Sequence, residues 1–321
     1  MTTGLIHAAV LHGLGETPRY ESFPAPVARD GEAVVRVAAA ALKPADRLMA
    51  SGVHYAPGGF PHVAGLDGVG WLDDGTRVAF FMPERPYGGM AEQTLVRRGA
   101  WFPVPDSADD VIAAAVLNPG MAAWKSVVWE GVVVAGQTVL VLGATGTSGR
   151  IAMQLAARRG ARVVAAGRNH RVLDRLTAEG ADAVIDLDQS GAELVEAFVV
   201  EGPYDLVIDY VWGGPAEAAF AAFTQPGVHL VPARTRYLLV GMAAGGWARV
   251  PAMALRVTPV QLTGSGVGGP PPPEASESAY GDLLGQLATG ELAVDIDRVP
   301  LADVERVWSR DGNDRRTVFV P

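Results

Sequence analysis

The segment Val139–Gly149 (VLVLGATGTSG) constrains the fold more strongly than any other part of the chain. Four consecutive apolar residues predict a buried strand, and a helix is predicted to follow at Arg150–Arg159. Gly143 permits a sharp turn, Gly146 permits the backbone to approach a ligand, and Gly149 permits the helix to pack closely on the sheet. A strand that enters a helix through such a turn is typical of a parallel sheet covered by helices.

The residues after this turn continue the alternation of strand and helix. The predicted strands are short apolar runs at Val139–Leu142, Arg162–Ala166, Ala183–Asp186, Asp205–Asp209, Tyr237–Gly241 and Gln261–Gly266. The predicted helices begin near Thr147, His170, Gly191 and Pro215. Because near-continuous apolar strands are buried on both faces, the pattern predicts an α/β domain with a doubly wound parallel sheet.

The first hundred residues have a different pattern, in which short strands are separated by glycine and proline. The predicted strands are Ala33–Ala39, Gly65–Trp71, Arg77–Phe81 and Met90–Val96. Frequent turn signals between short strands predict a β domain, built as a distorted barrel. One helix is predicted at Ala108–Leu117 and a second after Pro119, since proline is tolerated in the first turn of a helix.

The C-terminal part is too short to fold alone, and we expect it to return to the N-terminal domain. Pro270–Pro273 predicts a stiff linker. A helix around Tyr280–Thr289 and a closing strand at Thr317–Val320 follow it. A chain of 321 residues fits two domains, because single cores rarely exceed ~250–300 residues.

Composition excludes several classes of function. The net charge is −9 without a basic run, so neither nucleic acid nor an anionic membrane is an expected partner. The chain has no cysteine, which excludes disulfides, thiolate-ligated zinc, iron–sulfur clusters and a thiol nucleophile. No signal-peptide pattern and no apolar run of ~20 residues is present, so we expect a cytoplasmic protein.

The glycine turn also predicts a ligand. A helix N-terminus offers free N–H groups and partial positive charge, which suit a pyrophosphate. The residues expected to bind a dinucleotide there are Gly143, Ala144, Thr145, Gly146, Thr147, Ser148 and Gly149. Their spacing is G-x-x-G-x-x-G, a variant of the common G-x-G-x-x-G fingerprint.

The end of the next strand predicts which dinucleotide binds. Enzymes that use NAD place an acidic residue there, about 20 residues after the glycines, against the adenosine ribose. This chain has Gly167-Arg168-Asn169 instead. A guanidinium pairs with a 2′-phosphate through two parallel hydrogen bonds, which favours NADPH. The alternative is a surface arginine at the start of a helix.

Motifs along the whole chain resemble the quinone oxidoreductase branch of the medium-chain dehydrogenase/reductase superfamily. They are Gly88-Gly89-Met90-Ala91-Glu92, Pro103–Pro105, the Gly143–Gly149 turn, Asp205–Asp209, Gly264–Gly266 and Thr317–Val320. The resemblance implies a GroES-like β-barrel catalytic domain (residues 1–119 and 252–321) and a Rossmann domain (residues 120–251). It also implies a small-molecule substrate and a homodimer in which the edge Val257–Thr263 pairs with its twin.

The resemblance also implies which residues of this chain stand at the zinc-ligand positions of metal-bearing relatives. The catalytic cysteine of zinc-bearing relatives is replaced within Leu42–Asp46, their His-Glu pair falls on Leu66-Asp67, and their third ligand falls near Asn118. Zinc prefers thiolate, imidazole or carboxylate ligands. We therefore expect no metal in this protein.

The resemblance further implies site residues. Gly241 and Met242, Gly264, Ser265 and Gly266, and Asn118 are expected to contact the cofactor. Lys43 replaces an asparagine that lies by the nicotinamide in relatives, and Tyr55 falls in a loop that borders their substrate cleft. Lys43 is expected to act as a proton donor, to anchor an anionic substrate or to reach solvent. Tyr55 either polarises a substrate carbonyl or packs as an ordinary aromatic residue.

Three functions remain open from the sequence. The first is NADPH-dependent hydride transfer to a quinone or an α,β-unsaturated carbonyl without a metal. The second is reduction of a carbonyl or imine in a biosynthetic pathway. The third is a nucleotide-binding redox sensor with little turnover.

Overall fold

The computed structural model describes residues 4–53, 58–225, 234–266, 268–310 and 314–321. The chain forms two compact units. The first unit contains Met1–Asn118 and Ser276–Pro321, and the second contains Pro119–Ala275.

The described residues contain strands and helices in both units. The strands are β1 (Leu5–Leu11), β2 (Arg19–Pro24), β3 (Glu32–Ala41), β4 (His62–Val63), β5 (Asp67–Leu72), β6 (Arg77–Phe81), β7 (Gln93–Arg97), β8 (Trp101–Pro103), β9 (Thr138–Leu142), β10 (Arg162–Gly167), β11 (Ala183–Asp186), β12 (Leu206–Asp209), β13 (Arg236–Leu239), β14 (Gln261–Gly264), β15 (Ile296–Pro300) and β16 (Arg316–Val320). The helices are α1 (Pro44–Ala50), α2 (Asp110–Trp124), α3 (Thr147–Arg158), α4 (His170–Leu176), α5 (Gly191–Glu201), α6 (Gly213–Phe223), α7 (Ala252–Arg256), α8 (Pro273–Ala288) and α9 (Val304–Val307).

The second unit contains a six-stranded parallel sheet in the order β11-β10-β9-β12-β13-β14. This order reverses between β9 and β12, as in a doubly wound fold. Val139–Leu142 is fully buried, which agrees with a central strand covered on both faces. The carboxyl ends of all six strands therefore meet at one edge of the sheet, which is called the carboxyl edge below.

The boundary predicted at residue 251 is wrong. The structure keeps residues 252–275 in the second unit. The reason is β14, which pairs in parallel with β13 and places Thr263 beside Leu238. This pairing joins β14 to the sheet of the second unit, so the boundary lies after it.

The first unit contains two sheets. A seven-stranded sheet has the order β15-β16-β3-β5-β6-β8 with β7 paired to β3, and a three-stranded sheet has the order β2-β1-β4. All pairs are antiparallel except β15 with β16. An isolated bridge between Ala8 and Ala91 links the two sheets. The core of the larger sheet includes Phe80, Met90 and Phe319, which are completely buried.

Two helices differ from their predicted bounds. α2 runs through Pro119 as one helix, where the sequence predicted two. Pro119 removes one intrahelical hydrogen bond, but the apolar residues before it are almost completely buried and favour an unbroken helix. A π-helix at Lys125–Trp129 follows α2 directly. α8 begins at Pro273, not at Tyr280, so the last proline of the linker occupies the first turn.

One helical segment among the described residues, Asp110–Trp129, is long and apolar enough to cross a membrane. In this protein 67% of the most apolar 18-residue stretch of the segment is buried. A helix that is apolar on all sides is also typical of a protein core.

Candidate functional site

The glycine turn joins β9 to α3 at the carboxyl edge. Gly143 has a φ of +89°, a conformation that favours glycine. The N–H groups of Gly143 and Ala144 both donate to the Ala166 carbonyl at 2.8 Å. These two bonds anchor the start of the turn to the neighbouring strand β10.

The other two glycines of the turn face different surroundings. A Cβ at Gly149 would lie 2.3 Å from the Gly143 carbonyl oxygen, so the helix packs against the turn at a distance that only glycine allows. A Cβ at Gly146 would meet only the Gly143 oxygen, at 3.4 Å, which is ordinary contact. Gly146 is exposed. The protein itself has room for a side chain there, so its absence leaves space for a ligand.

The first turn of α3 has the electrostatics of an anion site. Thr147, Ser148 and Gly149 form this turn, which contains no acidic residue. Its unpaired N–H groups and the helix dipole attract negative charge. Arg150 is not available to a ligand, since its guanidinium forms an ion pair with Glu179 and is nearly buried. The backbone of this turn therefore suits an anion such as a pyrophosphate.

The predicted specificity segment Gly167-Arg168-Asn169 lies at the end of β10. A Cβ at Gly167 would lie 2.4 Å from the Thr145 side chain, so glycine lets the two loops touch. Arg168 is exposed, and Asn169 is the N-cap residue of α4. The structure brings this segment next to the glycine turn, as a dinucleotide site requires.

Sequence reasoning missed a carboxylate at this end of the site. Asp186 ends β11 and lies beside Gly167 in the sheet. Its Oδ2 lies 3.6 Å from His170 Nδ1, and its Oδ1 accepts the Asp188 N–H at 2.9 Å. The sequence did not indicate a role for Asp186, because only the strand pairing places it beside a residue 19 positions earlier in the chain.

His170, Asp186 and Asp188 also have the donor types of a metal site. Their ligand atoms lie within 4.8 Å of one another, but His170 and Asp188 are exposed and Asp186 is only half-buried. Exposed acidic groups of this kind are common without an ion. They form a polar surface just after the ends of β10 and β11.

A buried carboxylate, Asp209, organises the loop after β12. Its Oδ1 accepts the N–H groups of Val211 and Trp212 at 2.8 Å, and its Oδ2 accepts the Tyr237 hydroxyl at 2.6 Å. Burial raises the pKa of Asp209, and these hydrogen bonds oppose the rise. The loop in turn supports the glycine turn, since a Cβ at Gly143 would lie 2.9 Å from the Val211 side chain.

The predicted nicotinamide segments also lie at the carboxyl edge. Gly241 donates to the Asp209 carbonyl at 3.0 Å, and Met242 beside it is exposed. Ser265 is buried and donates to the Leu239 carbonyl at 2.7 Å. A Cβ at Gly264 or Gly266 would meet nothing within 4 Å. The structure thus brings the glycine turn and both segments to one edge of the second unit.

The first unit holds the other candidates. Asn118 lies exposed in α2, where the N-terminal segment of this unit ends. Tyr55 lies outside the described residues. Lys43 is only 2% exposed, so the interpretation that it reaches solvent is wrong.

The Lys43 ammonium uses its three N–H groups inside the protein. Nζ lies 2.7 Å from Asp67 Oδ1, 2.8 Å from the Ala41 carbonyl and 3.2 Å from Asp46 Oδ2. Burial lowers the pKa of Lys43, but the two carboxylates outweigh it and the net shift is upward. The lysine is therefore a fixed cation in this structure.

Asp67 is a carboxylate of this buried cluster whose pKa is raised. Burial raises its pKa to about 6, with attraction from Lys43 opposing the rise and repulsion from Asp46 adding to it. Its Oδ2 is buried and accepts no hydrogen bond from the described residues. The side chain therefore exchanges a proton closer to neutral pH than an ordinary aspartate.

Known proteins similar to this chain are named as reductases. A protein of Emericella nidulans named "Probable NADPH-dependent quinone reductase" is 26% identical over 347 aligned positions, covering 95% of this chain and 96% of the relative. A trans-enoyl reductase of Alternaria alternata is 30% identical over 237 positions, covering 67% and 68%. No family model matches the chain.

Solved structures share the fold. The quinone oxidoreductase of Thermus thermophilus, described with its NADPH complex, superposes with a TM-score of 0.80 at 29% identity. The superposition covers 98% of this chain and all of that protein. The α/β architecture is therefore that of these quinone oxidoreductases.

The contrast between the two glycines gives a first prediction. Gly149→Ala should destabilise the protein by ~1–3 kcal/mol, because the new Cβ overlaps the Gly143 carbonyl. Gly146→Ala should unfold at nearly the wild-type temperature but bind NADPH more weakly, because its Cβ points into the ligand space. Thermal unfolding and nucleotide titration of both variants test this. Wild-type affinity in Gly146→Ala would contradict the assignment.

The buried aspartate gives a prediction about pH. Because the native pKa of Asp67 is about 6 and the ordinary value is 3.8, the native state holds the proton more tightly than the unfolded chain. The stability contributed by protonated Asp67 is present below about pH 3.8 and is lost as pH rises to about 6.

The free energy of unfolding of wild type minus that of Asp67→Asn should therefore fall by about 2 kcal/mol between pH 4 and pH 7. Denaturant unfolding at several pH values measures this difference. A difference that is constant, or that rises with pH, would refute the assignment.

Proposed function

The chain belongs to the family of quinone oxidoreductases and trans-enoyl reductases within the medium-chain dehydrogenase/reductase superfamily, and on this basis we propose that it is an NADPH-dependent reductase of quinones or α,β-unsaturated carbonyl compounds. The observation that carries the proposal is the glycine turn at the carboxyl edge. Its open Gly146 and its acid-free helix terminus suit a dinucleotide.

The proposal assigns the residues of the second unit to parts of NADPH. The first turn of α3 would bind the pyrophosphate through backbone N–H groups. Arg168 would pair with the 2′-phosphate of the adenosine ribose, beside Gly167 and Asn169. Gly241, Met242 and Gly264–Gly266 would bind the nicotinamide end. When bound, NADPH supplies the hydride, and the protein orients it and excludes water.

The cluster around Lys43 supports a reaction without a metal. Lys43 lies in the segment where the resemblance puts the zinc-ligating cysteine, and its ammonium forms ion pairs with both Asp67 and Asp46. Reduction of a conjugated acceptor forms a resonance-stabilised anion, which hydrogen-bond donors can stabilise. Oxidation of a simple alcohol needs stronger stabilisation of an alkoxide, a task that a metal ion performs well.

We further propose that the first unit is a GroES-like barrel and that the protein acts in the cytoplasm. The mainly antiparallel sheets and the Ala8–Ala91 bridge between them support a distorted barrel. The absence of cysteine and the negative net charge suit the cytoplasm. The substrate is a small molecule in this proposal.

A homodimer through β14 is the proposed assembly. All four residues of this edge strand are exposed, and Leu262 among them is apolar. An uncovered apolar edge favours association, and a symmetric pairing covers it. Sedimentation at micromolar concentration should show a dimer that Leu262→Lys dissociates and that the exposed control Val200→Lys leaves intact. A monomeric wild type would contradict this proposal.

Cofactor choice gives a sharper prediction. NADPH should bind at least ~10-fold more tightly than NADH, as expected for a charge-assisted hydrogen bond of ~1.5–3 kcal/mol. Arg168→Ala should abolish the preference. Asp186→Asn is the matched variant, and it should increase the preference because it removes a negative charge near the phosphate. Fluorescence titration measures all three proteins, and an Arg168→Ala protein with unchanged preference would refute the assignment.

The proposed reaction class can be tested with the substrates that it includes and excludes. The protein should oxidise NADPH with quinones or activated enones and should show little NADP-linked oxidation of simple alcohols. A chelator should leave the rate unchanged, and elemental analysis should find no stoichiometric zinc. Robust alcohol dehydrogenation or one zinc per chain would overturn the proposal. Turnover only with ketones or imines would support a carbonyl or imine reductase, and tight NADPH binding without turnover would support a redox sensor.

A further inference from the structure

The chain contains only two lysines, Lys43 and Lys125, and both are buried. All the other basic side chains, apart from six histidines, are arginines. An ammonium is a compact charge with three rotatable donors, and arginine cannot reproduce it in a closed space. Lys125 lies in the second unit and has no role in the proposed function.

Lys125 holds the segment that follows β14. Its Nζ donates to the Gly266 carbonyl at 2.7 Å and lies 3.3 Å from the Gly268 carbonyl. A third neighbour is Glu130 Oε1, also at 3.3 Å. The ammonium thus joins two backbone carbonyls that lie more than 140 residues further along the chain.

This segment needs an external anchor. Three of its described residues, Gly264, Gly266 and Gly268, are glycines whose missing side chains leave open space. Glycine loses more conformational freedom on ordering than any other residue. Ser265 is attached to β13 through its N–H group. Beyond Ser265, Lys125 supplies charged hydrogen bonds to the segment's carbonyls.

The π-helix places Lys125 at the carboxyl edge. The Glu130 N–H donates to the Lys125 carbonyl at 2.8 Å, five residues back, which is the hydrogen bond that defines this helix type. The next residue, Ser126, bonds to the buried Tyr210 hydroxyl at 2.9 Å. Tyr210 lies in the loop after β12. Consecutive residues of the π-helix therefore hold the loops after β12 and β14.

We propose that Lys125 is a positioning residue that fixes the backbone of Gly264–Gly266 and Gly268 for the nicotinamide end of NADPH. The proposal rests on the proposed function, which places the nicotinamide at this segment. Lys125 does not touch the reacting atoms in this proposal. It acts through the two carbonyls that it orients.

The test compares two ligands that differ only by the nicotinamide. NADPH contains it, and 2′-phospho-ADP-ribose lacks it. Lys125→Met keeps the length of the side chain and removes the ammonium. It should weaken NADPH binding at least ~10-fold, as expected for loss of charged hydrogen bonds, and should leave binding of 2′-phospho-ADP-ribose within about twofold.

A matched control separates positioning from general destabilisation. Thr235→Val also removes one buried side-chain bond to a carbonyl, that of Tyr204 at 2.7 Å, but lies at the opposite edge of the sheet. It should lower thermal stability without changing the ratio of the two affinities. The double variant Lys125→Met/Glu130→Gln removes the carboxylate that Lys125→Met leaves without its cation. It should show the same selective loss of NADPH binding even if the single variant folds poorly.

The two lysines also allow a test in the wild-type protein. Labelling with [ε-¹³C]lysine should give two side-chain signals, and Lys125→Arg identifies one of them. Saturation with NADPH should shift the Lys125 signal, and saturation with 2′-phospho-ADP-ribose should shift it much less.

Equal loss of both ligands in the variants, or no loss of either, would overturn the positioning role, and so would a Lys125 signal that NADPH leaves unmoved. A wild-type protein that binds neither ligand would instead refute the proposed function, and the positioning role with it. A wild-type protein that binds both ligands with equal affinity would place the nicotinamide elsewhere and would also overturn the inference.

Discussion

The close contact between Gly149 and the Gly143 carbonyl is the constraint on which the second unit depends. A Cβ at Gly149 would lie 2.3 Å from that oxygen, so α3 can begin this close to β9 only with glycine at this position. The same approach directs the first turn of the helix at the carboxyl edge. Because all six strands are parallel, the loops after them meet there as well. One steric requirement thus sets both the packing of α3 on the sheet and the location of the proposed anion site.

Buried polar groups hold the loops that follow strands β12 and β14. Asp209 holds the loop after β12 through two backbone N–H groups, and Lys125 holds the segment after β14 through backbone carbonyls. Such groups would be costly inside a protein without partners, and here each uses the backbone as its partner. Hydrogen bonds of this kind hold the backbone of the loops that follow the strands. They give a site built mainly from glycines a defined shape.

The first unit contains a buried cluster of charged side chains. Lys43 forms ion pairs with two buried aspartates, so one positive charge faces two carboxylates, and one oxygen of Asp67 accepts no hydrogen bond from the described residues. Burying ions is unfavourable unless they are paired, and removal of one partner leaves an uncompensated charge. The cluster is therefore sensitive to substitution and to pH.

The sequence by itself determined the features that depend on neighbouring residues. It predicted the glycine turn, the six parallel strands and the starts of α3, α4 and α5, because strand periodicity, turn glycines and helix-start signals act over a few positions. It also predicted which segments the strand ends would bring together.

Only the tertiary structure decided features that depend on distant partners. Pairing with β13 kept residues 252–275 in the second unit, and burial let α2 continue through Pro119. β15 was not predicted, because its short run acquires a partner only beside β16. Strand pairing also placed Asp186 beside Gly167, and folding gave Lys43 and Lys125 their carboxylate and carbonyl partners. A sequence pattern shows which side chains are charged, but burial and pairing across the fold decide what those charges bind.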